Sequence, residues 1–302
     1  MSYCIKDRKI RSATIEVNVV FHCNLSCRAC SHLSPYSKPY FVDPDSLHND
    51  LIILSKYFHA ERINLLGGEP LLHPRLLDII DVVKDTGIAD KIRVVTNGLL
   101  LSSIDEYFWR AIDELSISVY PQTEAKLNID SYKHYAQKYN KKIEILYFDY
   151  FREAYSEVGT DDIYLIRRIF KTCQIAHIWQ CHTVHNGFFY KCPQSLFIPM
   201  ILKNKEKHLF DADRVKIIDS DDFFVNLLNY LQSSEPLKTC RFCLGSVGKL
   251  FPHQMIPPKK VREQYKTEEL LDWGHLKRLE RDPKSPELCL RHQIKQAKEV
   301  IL

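Results

Sequence analysis

The sequence predicts an α/β fold built on five parallel βα units, a partial or open barrel, followed by a smaller cysteine-rich region. Three observations predict it. Short apolar runs alternate with amphipathic stretches of roughly ten to fifteen residues as far as Phe148, the pattern of parallel βα units. Glycine and Asn-Gly turns punctuate the ends of those runs. After Cys173 the alternation stops and cysteines recur in its place.

Ile15 to Phe21 opens the series as a strand, with Glu16 and Asn18 as polar interruptions, and leads into a cysteine-bearing loop that runs to Pro44. Leu47, Leu51, Leu54 and Phe58 recur at helical spacing, which predicts a helix over Asp45 to Phe58. Ile63 to Leu66 is the second strand, and a helix from Pro74 to Lys84 is ended by Gly87. The third unit is Ile92 to Thr96, the turn Asn97-Gly98 and a helix over Ser103 to Ile112; the fourth is Leu115 to Val119 and a helix near Glu124 to Tyr139. Ile143 to Phe148 is the fifth strand, from which Glu144 projects with no assigned role. Between it and Cys173 only Asp161 to Lys171 is patterned, as a helix, which leaves a sixth strand in doubt. Ile178 to Val184, His185-Asn186-Gly187 and Phe188 to Lys191 read as a β-hairpin, since Asn-Gly is the strongest short hairpin turn. Asp221 to Leu231 is an amphipathic helix, residues 252–285 a polar surface tail without visible chemistry, and Pro286 to Ile301 a helix packed on the barrel. The expected division is therefore 14–170, 171–250 and 251–302.

Composition bounds the function. With 45% hydrophobic and 26% charged residues among 302, the chain reads as an ordinary soluble globular protein. Met1 to Arg11 lacks the apolar core of a secretory signal, and no apolar run reaches the length of about 18 residues that a membrane span needs. Ten cysteines in such a chain argue for metal or redox use in a reducing cytoplasm rather than for a disulfide framework. The net charge of +4 is modest and its lysines and arginines are scattered, a solvated surface rather than a nucleic-acid face.

Cys23, Cys27 and Cys30 are too close in sequence to pair off into well-formed disulfides, and one would be left over. They converge instead on one inorganic centre. A zinc site would recruit a nearby fourth ligand, His22 or His32; a four-iron cluster on three thiolates would keep one iron open to a small molecule. In Leu66-Gly67-Gly68-Glu69-Pro70 the glycines let the chain turn tightly after a strand and approach a ligand, and Glu69 presents a carboxylate at the strand's end. An ordinary strand-to-helix turn is the plainer reading of that segment alone. Because ligands of parallel barrels sit at the C-terminal ends of the strands, Thr96, Asn97, Ser118 and Tyr120 join as candidates.

Taken together, the C-x3-C-x2-C spacing and the Gly-Gly-Glu-Pro segment resemble the signature of the radical S-adenosylmethionine (SAM) superfamily. The resemblance spans residue 14 to about 245. It implies a [4Fe-4S] cluster on Cys23, Cys27 and Cys30 and SAM at the open iron with its methionine seated by Gly67, Gly68, Glu69 and Pro70, and the strand-end candidates Thr96, Asn97, Ser118 and Tyr120 would then face SAM or substrate. It also implies an electron donor such as flavodoxin or ferredoxin, and a 5′-deoxyadenosyl radical that attacks an unactivated C–H bond, with the protein supplying position and dryness. Members of the family often carry an aromatic residue before the third cysteine; Ala29 stands there, which leaves stacking to Tyr36 or Tyr40.

Cys173-x13-Gly187-x4-Cys192, followed by Cys240-Arg241-Phe242-Cys243, resembles the SPASM and twitch modules of the same superfamily. That implies a small C-terminal domain of the single-cluster twitch form, with an auxiliary [4Fe-4S] cluster on Cys173, Cys192, Cys240 and Cys243; four-cysteine zinc is the alternative, and Cys181 could replace Cys173. Relatives that epimerise sugars return a hydrogen atom from a free cysteine, which makes Cys181 and Cys289 catalytic candidates beside their plainer reading as buried apolar thiols. The thirteen residues before the first strand cannot make the peptide-recognition domain of peptide-modifying relatives. The expected substrate is accordingly a small polar metabolite, a sugar, aminocyclitol or nucleotide-linked sugar, which is dehydrogenated or epimerised. Peptide maturation and a non-catalytic zinc- or cluster-binding protein are the other readings.

Overall fold

A computed structural model describes residues 3–202, 207–257, 264–282 and 299–301. The short β1 (Cys4–Lys6) folds back on β2 (Lys9–Val20), and β3 (Phe58–Gly67), β4 (Ala89–Thr96), β5 (Glu114–Val119) and β6 (Lys142–Tyr147) follow in parallel, each beside its predecessor. Helices α1 (Pro44–Leu54), α2 (Leu76–Thr86), α3 (Glu106–Ala111) and α4 (Ile129–Lys138) make the crossovers. The five predicted βα units are present, with boundaries moved for local reasons. Strand β2 begins at Lys9 because Lys9 pairs with Lys6 of β1, and the pairing of Ile10 with Phe58 draws Phe58 out of the helix expected to reach it. Helix α4 begins at Ile129, not near Glu124, because the Asn128 side chain caps it by accepting from the Ser131 N–H at 3.1 Å; Glu124–Lys126 form a separate turn.

After β6 the chain makes β7 (Tyr150–Arg152), α5 (Ile163–Lys171) and α6 (Gln174–His177) before the predicted hairpin, β8 (Thr183–His185) and β9 (Phe188–Tyr190). Asn186 and Gly187 turn it with φ of 45° and 79°, the left-handed pair such a turn requires. The doubtful sixth strand resolves here. Strand β8 lies parallel to β2, with Thr183 opposite Glu16, so the sixth parallel strand joins the edge where the barrel starts, not the edge at β6. On the hairpin's far side follow α7 (Pro193–Ile201), β10 (Arg214–Lys216), which pairs with β9, and α8 (Phe223–Gln232).

The polar tail expected over residues 252–285 is more structured than its composition suggests. Strand β11 (Leu250–Pro252) pairs with β7, and α9 (Thr267–Leu270) and α10 (Trp273–Arg281) bury Leu270, Leu271, Leu276 and Leu279 against Leu165 and Ile169 of α5. At the C-terminus β12 (Glu299–Ile301) pairs with β6 where the end of a helix was expected; the rest of that helix, with Cys289, falls outside the described residues.

Side chains of a strand alternate faces. Val17, Ile63, Leu65, Ile92, Val94, Leu115, Ile117, Ile143 and Ile145 all enter the main hydrophobic cluster. Their neighbours Glu16, Asn64, Arg93, Ser116 and Glu144 are buried too, but polar, and take the opposite face. Register puts Thr183, Glu16, Asn64 and Arg93 in one line across four strands, and Ser116 opposite Glu144 on the next two. The barrel interior is therefore crossed by a polar belt.

Candidate active site

A cavity of about 330 Å³ opens at the C-terminal ends of the parallel strands. Its wall brings together Cys23, Cys27, Cys30, Gly67, Gly68, Thr96, Asn97, Ser118, Tyr120 and Cys181, residues drawn from five separate elements and loops. Glu69 and Pro70 stand behind that wall. The expectation that Glu69 presents its carboxylate at the rim is corrected: it is fully buried, with Oε1 accepting from the Leu71 N–H (3.1 Å) and the Thr96 hydroxyl (2.6 Å) and Oε2 from the Asn97 N–H (2.9 Å). Burial lifts its pKa to about 7 against these three donors. The carboxylate thus fastens the β4 turn to the β3 turn and sets where Asn97 sits, whose amide in turn reaches Asn24 at 2.7 Å and the Cys23 sulfur at 3.7 Å.

The two glycines meet protein rather than leaving space. A Cβ on Gly67 would stand 2.2 Å from the Val20 carbonyl oxygen, and one on Gly68 1.8 Å from that of His22. The Gly68 N–H donates to Val20 (2.7 Å) and the Glu69 N–H to His22 (3.1 Å), so this turn is zipped onto the strand that delivers the cysteine loop. Glycine is required by that approach, and at Gly67 also by a φ of +128°.

The loop itself is held from a quarter the sequence reading left blank. Residues 254–256 run alongside it: the Arg28 N–H donates to Gln254, the Ile256 N–H to Ser26, both at 2.8 Å, and Cys27 lies 3.9 Å from the Met255 sulfur. Arg28, inside the cysteine motif, pairs with Glu153 at 2.8 Å and lies 4.4 Å over the Phe251 ring. Tyr120 stacks on His253 with centroids 4.7 Å apart. No spacing or motif announces this strap, because its contacts are mostly main-chain. Tyr36 and Tyr40, proposed for stacking, lie off the cavity; Phe148, Tyr150, Phe151 and Trp179 line it.

Burial pushes the Cys23 thiol up to about 12 and Cys27 higher still, and each neighbouring thiolate adds to the effect. Two such buried thiolates with a third cysteine beside them need a strong cation, so the donor set fits a metal centre. Thiols are soft ligands, which suit iron-sulfur or zinc. His32 lines the same cavity with its Nε2 unpartnered and its pKa lowered to about 4 by burial, while His22 does not line it.

A second, smaller cavity of about 20 Å³ is lined by Cys173, Cys192, Cys240 and Cys243, the four thiols predicted to act together. Cys181 is absent from it and faces the large cavity instead, so the geometry gathers Cys173, not Cys181, with the later pair. Burial raises all four thiols, Cys192 to about 12. Lys191 supplies a buried positive charge beside them, its ammonium donating to the Ser233 carbonyl at 3.0 Å. Gln194 and Gly245 line both cavities, so one layer of residues separates them. Among the described residues no three His, Cys, Asp or Glu side chains close around a single point as ligands of one metal ion.

Comparison with known proteins supplies the family. The model of the radical SAM superfamily matches residues 17–166. A probable GTP 3′,8-cyclase of Methanocaldococcus jannaschii is 33% identical over 100 residues, 33% of this chain and 32% of that protein. An S-adenosylmethionine-dependent nucleotide dehydratase of a Thermoplasmatales archaeon is 36% identical over 95 residues, 32% of each. The chain thus spans about a third of the length of the curated relatives it matches. Among solved structures, BtrN in complex with AdoMet and 2-DOIA aligns over 66% of this chain and 85% of its own at 18% identity and a TM-score of 0.39. SuiB of Streptococcus suis bound to S-adenosylmethionine aligns over 44% and 33% at 16% identity and 0.35.

Proposed function

This chain belongs to the radical SAM superfamily, whose members use a [4Fe-4S] cluster and SAM, and from that premise we propose that it abstracts a hydrogen atom from a carbon of a small polar substrate and returns one from Cys181, inverting that carbon. Sugars, aminocyclitols and sugar nucleotides are the substrate class. The observation that carries the reading is the single cavity in which the three cysteines, the Gly67-Gly68 turn and the Cys181 thiol share one wall.

Cys23, Cys27 and Cys30 would hold the cluster, and Gly67, Gly68, Asn97, Ser118 and Tyr120 would face SAM, with Glu69 and Pro70 shaping the turn from behind. When bound, the pair supplies a 5′-deoxyadenosyl radical, given one electron by a flavodoxin- or ferredoxin-like donor. The chain's own share is to keep water out with Phe148, Phe151 and Trp179 and to hold Cys181 within the cavity. In the return step the Cys181 S–H bond breaks as a C–H bond forms on the substrate radical; one electron from the reductant and one proton then restore the thiol. Cys173, Cys192, Cys240 and Cys243, within the expected unit 171–250 whose strands β8–β10 extend the barrel sheet, would carry the auxiliary cluster. Four thiols lining one cavity supply the donor set of a four-iron cluster, the centre the family's chemistry favours over zinc.

Dehydrogenation is the second reading, favoured by the thin wall between the cavities: a substrate radical on one side could give its electron to a cluster on the other. One experiment separates them. Anaerobically reconstituted protein with SAM and dithionite in D2O, offered a panel of sugars and aminocyclitols, will place one solvent deuteron on the inverted carbon, because a thiol exchanges with solvent. A ketone without solvent deuterium selects dehydrogenation; no 5′-deoxyadenosine at all overturns both.

A further inference from the structure

Among the groups lining the large cavity, Glu16 is a buried carboxyl that the chemistry above leaves unused. It sits in the middle of β2, is 6% exposed, and lies in the polar belt that floors the barrel. Its neighbours in the belt are already matched to one another: Arg93 donates to the Asn64 carbonyl at 2.9 Å and to Glu144 at 3.3 Å. Glu16 receives the Cys181 thiol and the Asn64 amide, yet its Oε2 has no partner. The belt therefore holds one carboxylate more than its single guanidinium balances. A buried carboxyl oxygen without a donor is costly, and on a cavity wall a ligand can supply that donor.

We propose that Glu16 is the residue that receives the substrate, its Oε2 accepting a hydrogen bond from a hydroxyl or ammonium group beside the carbon that faces Cys181. This rests on the epimerase reading for the identity of that carbon, and on geometry alone for the ligand class. The part of the ligand that enters is rich in donors and carries no phosphate. Among the described residues Arg152 is the one arginine or lysine on the wall, and it is tied to the Gly248 carbonyl at 2.8 Å and to Asp272 at 3.5 Å, while Glu153 on the same wall pairs with Arg28. Among the described residues no second guanidinium or ammonium lines that wall to meet a phosphate. Burial holds Glu16 near 7, so at neutral pH the carboxyl is poised to accept from such a donor as a carboxylate or to bond a substrate oxygen as an acid.

The test is binding, read without turnover. Reconstituted holoenzyme with SAM is dialysed to equilibrium against glucosamine, glucose or glucose 6-phosphate, with iron content and melting temperature measured in parallel. In the wild type glucosamine or glucose should bind at least tenfold tighter than glucose 6-phosphate; glucosamine ahead of glucose assigns an ammonium, parity a hydroxyl. Glu16→Gln should weaken the preferred probe tenfold or more and Glu16→Asp less, at unchanged iron content. Equal binding by Glu16→Gln, preference for the phosphorylated sugar, or no binding of any probe at 10 mM each overturns the assignment. Failure of the wild type to make 5′-deoxyadenosine in a separate vial would instead strike the radical reading, and would leave the binding result standing.

Discussion

The two cysteine sites of this chain use one ligand chemistry and differ in how they are closed. The first has three thiols on the wall of a cavity of about 330 Å³, with Cys23 and Cys30 only half-buried. The second has four thiols, three of them buried and Cys240 half-buried, around a space of about 20 Å³ that Phe170, Leu237 and Gln194 also line, and is attended by the Lys191 ammonium. A centre with a missing protein ligand and room beside it can take a small molecule. A centre fully ligated and without room beside it can only hold its charge or pass an electron. The difference lies less in the cysteines than in the neighbours: the open site has its loop pinned from outside by residues 254–256 and Arg28, which keeps its inner side clear.

The largest expected effect breaks the pair apart. Replacing Cys23, Cys27 or Cys30 with alanine should lower 5′-deoxyadenosine formation at least about a thousandfold while leaving the second site's iron in place, because transition-state chemistry is lost outright. Cys192→Ala or Cys240→Ala should remove the second site's iron and lower the melting temperature, since a metal that binds only the folded chain stabilises it. Iron analysis beside product assay reads both. If the first-site variants still cleave SAM, the division of labour between the sites is wrong.

Glycines give the next contrast. Gly68→Ala drives a Cβ to 1.8 Å from a backbone oxygen that no rotamer change can move, and should cost about 3 kcal/mol or more in urea unfolding together with SAM binding. At the second site Gly245, with φ of +52°, leaves its Cβ 3.2 Å from a methyl of Ile169 and 3.5 Å from the Cys173 sulfur. Gly245→Ala should cost about 1–2 kcal/mol, the strain of a left-handed alanine. Equal costs would mean that the β2–β3 zipper is softer than its hydrogen bonds indicate.

How much of this was legible follows the range of the interactions. The cysteine sets, the Asn186-Gly187 hairpin and the five βα units announce themselves through residues near in sequence, and the structure has them all. The placement of β8 beside β2 was not legible, since a three-residue strand carries no mark of which edge it joins. Glu16 read as a polar interruption because its meaning depends on Asn64, Arg93 and Cys181, which register and fold bring to it from far along the chain. Residues 250–256 bind the cysteine loop through main-chain groups, which every sequence offers equally. The α9–α10 tail hid its four buried leucines among charged neighbours.

The smallest effect sharpens the comparison through pH. Burial raises Glu16 and Glu69, both at the first site, from 4.5 to about 7, whereas the buried charge of the second site is a lysine lowered to about 8. A carboxyl whose pKa is raised by folding keeps its proton in the native chain while the unfolded chain releases it. Its stabilisation is complete below about 4.5 and is lost as pH rises to about 7. In metal-free protein Glu16→Gln should therefore flatten the fall of unfolding free energy over that window, by about 1 kcal/mol per pH unit near pH 6. Lys191→Met, whose charge changes only above the window, should leave that slope as it is in the wild type. Urea melts from pH 5 to 8 measure it, and a Glu16→Gln slope indistinguishable from wild type would mean that water reaches the barrel floor and that its carboxylates are not set apart from those of the surface.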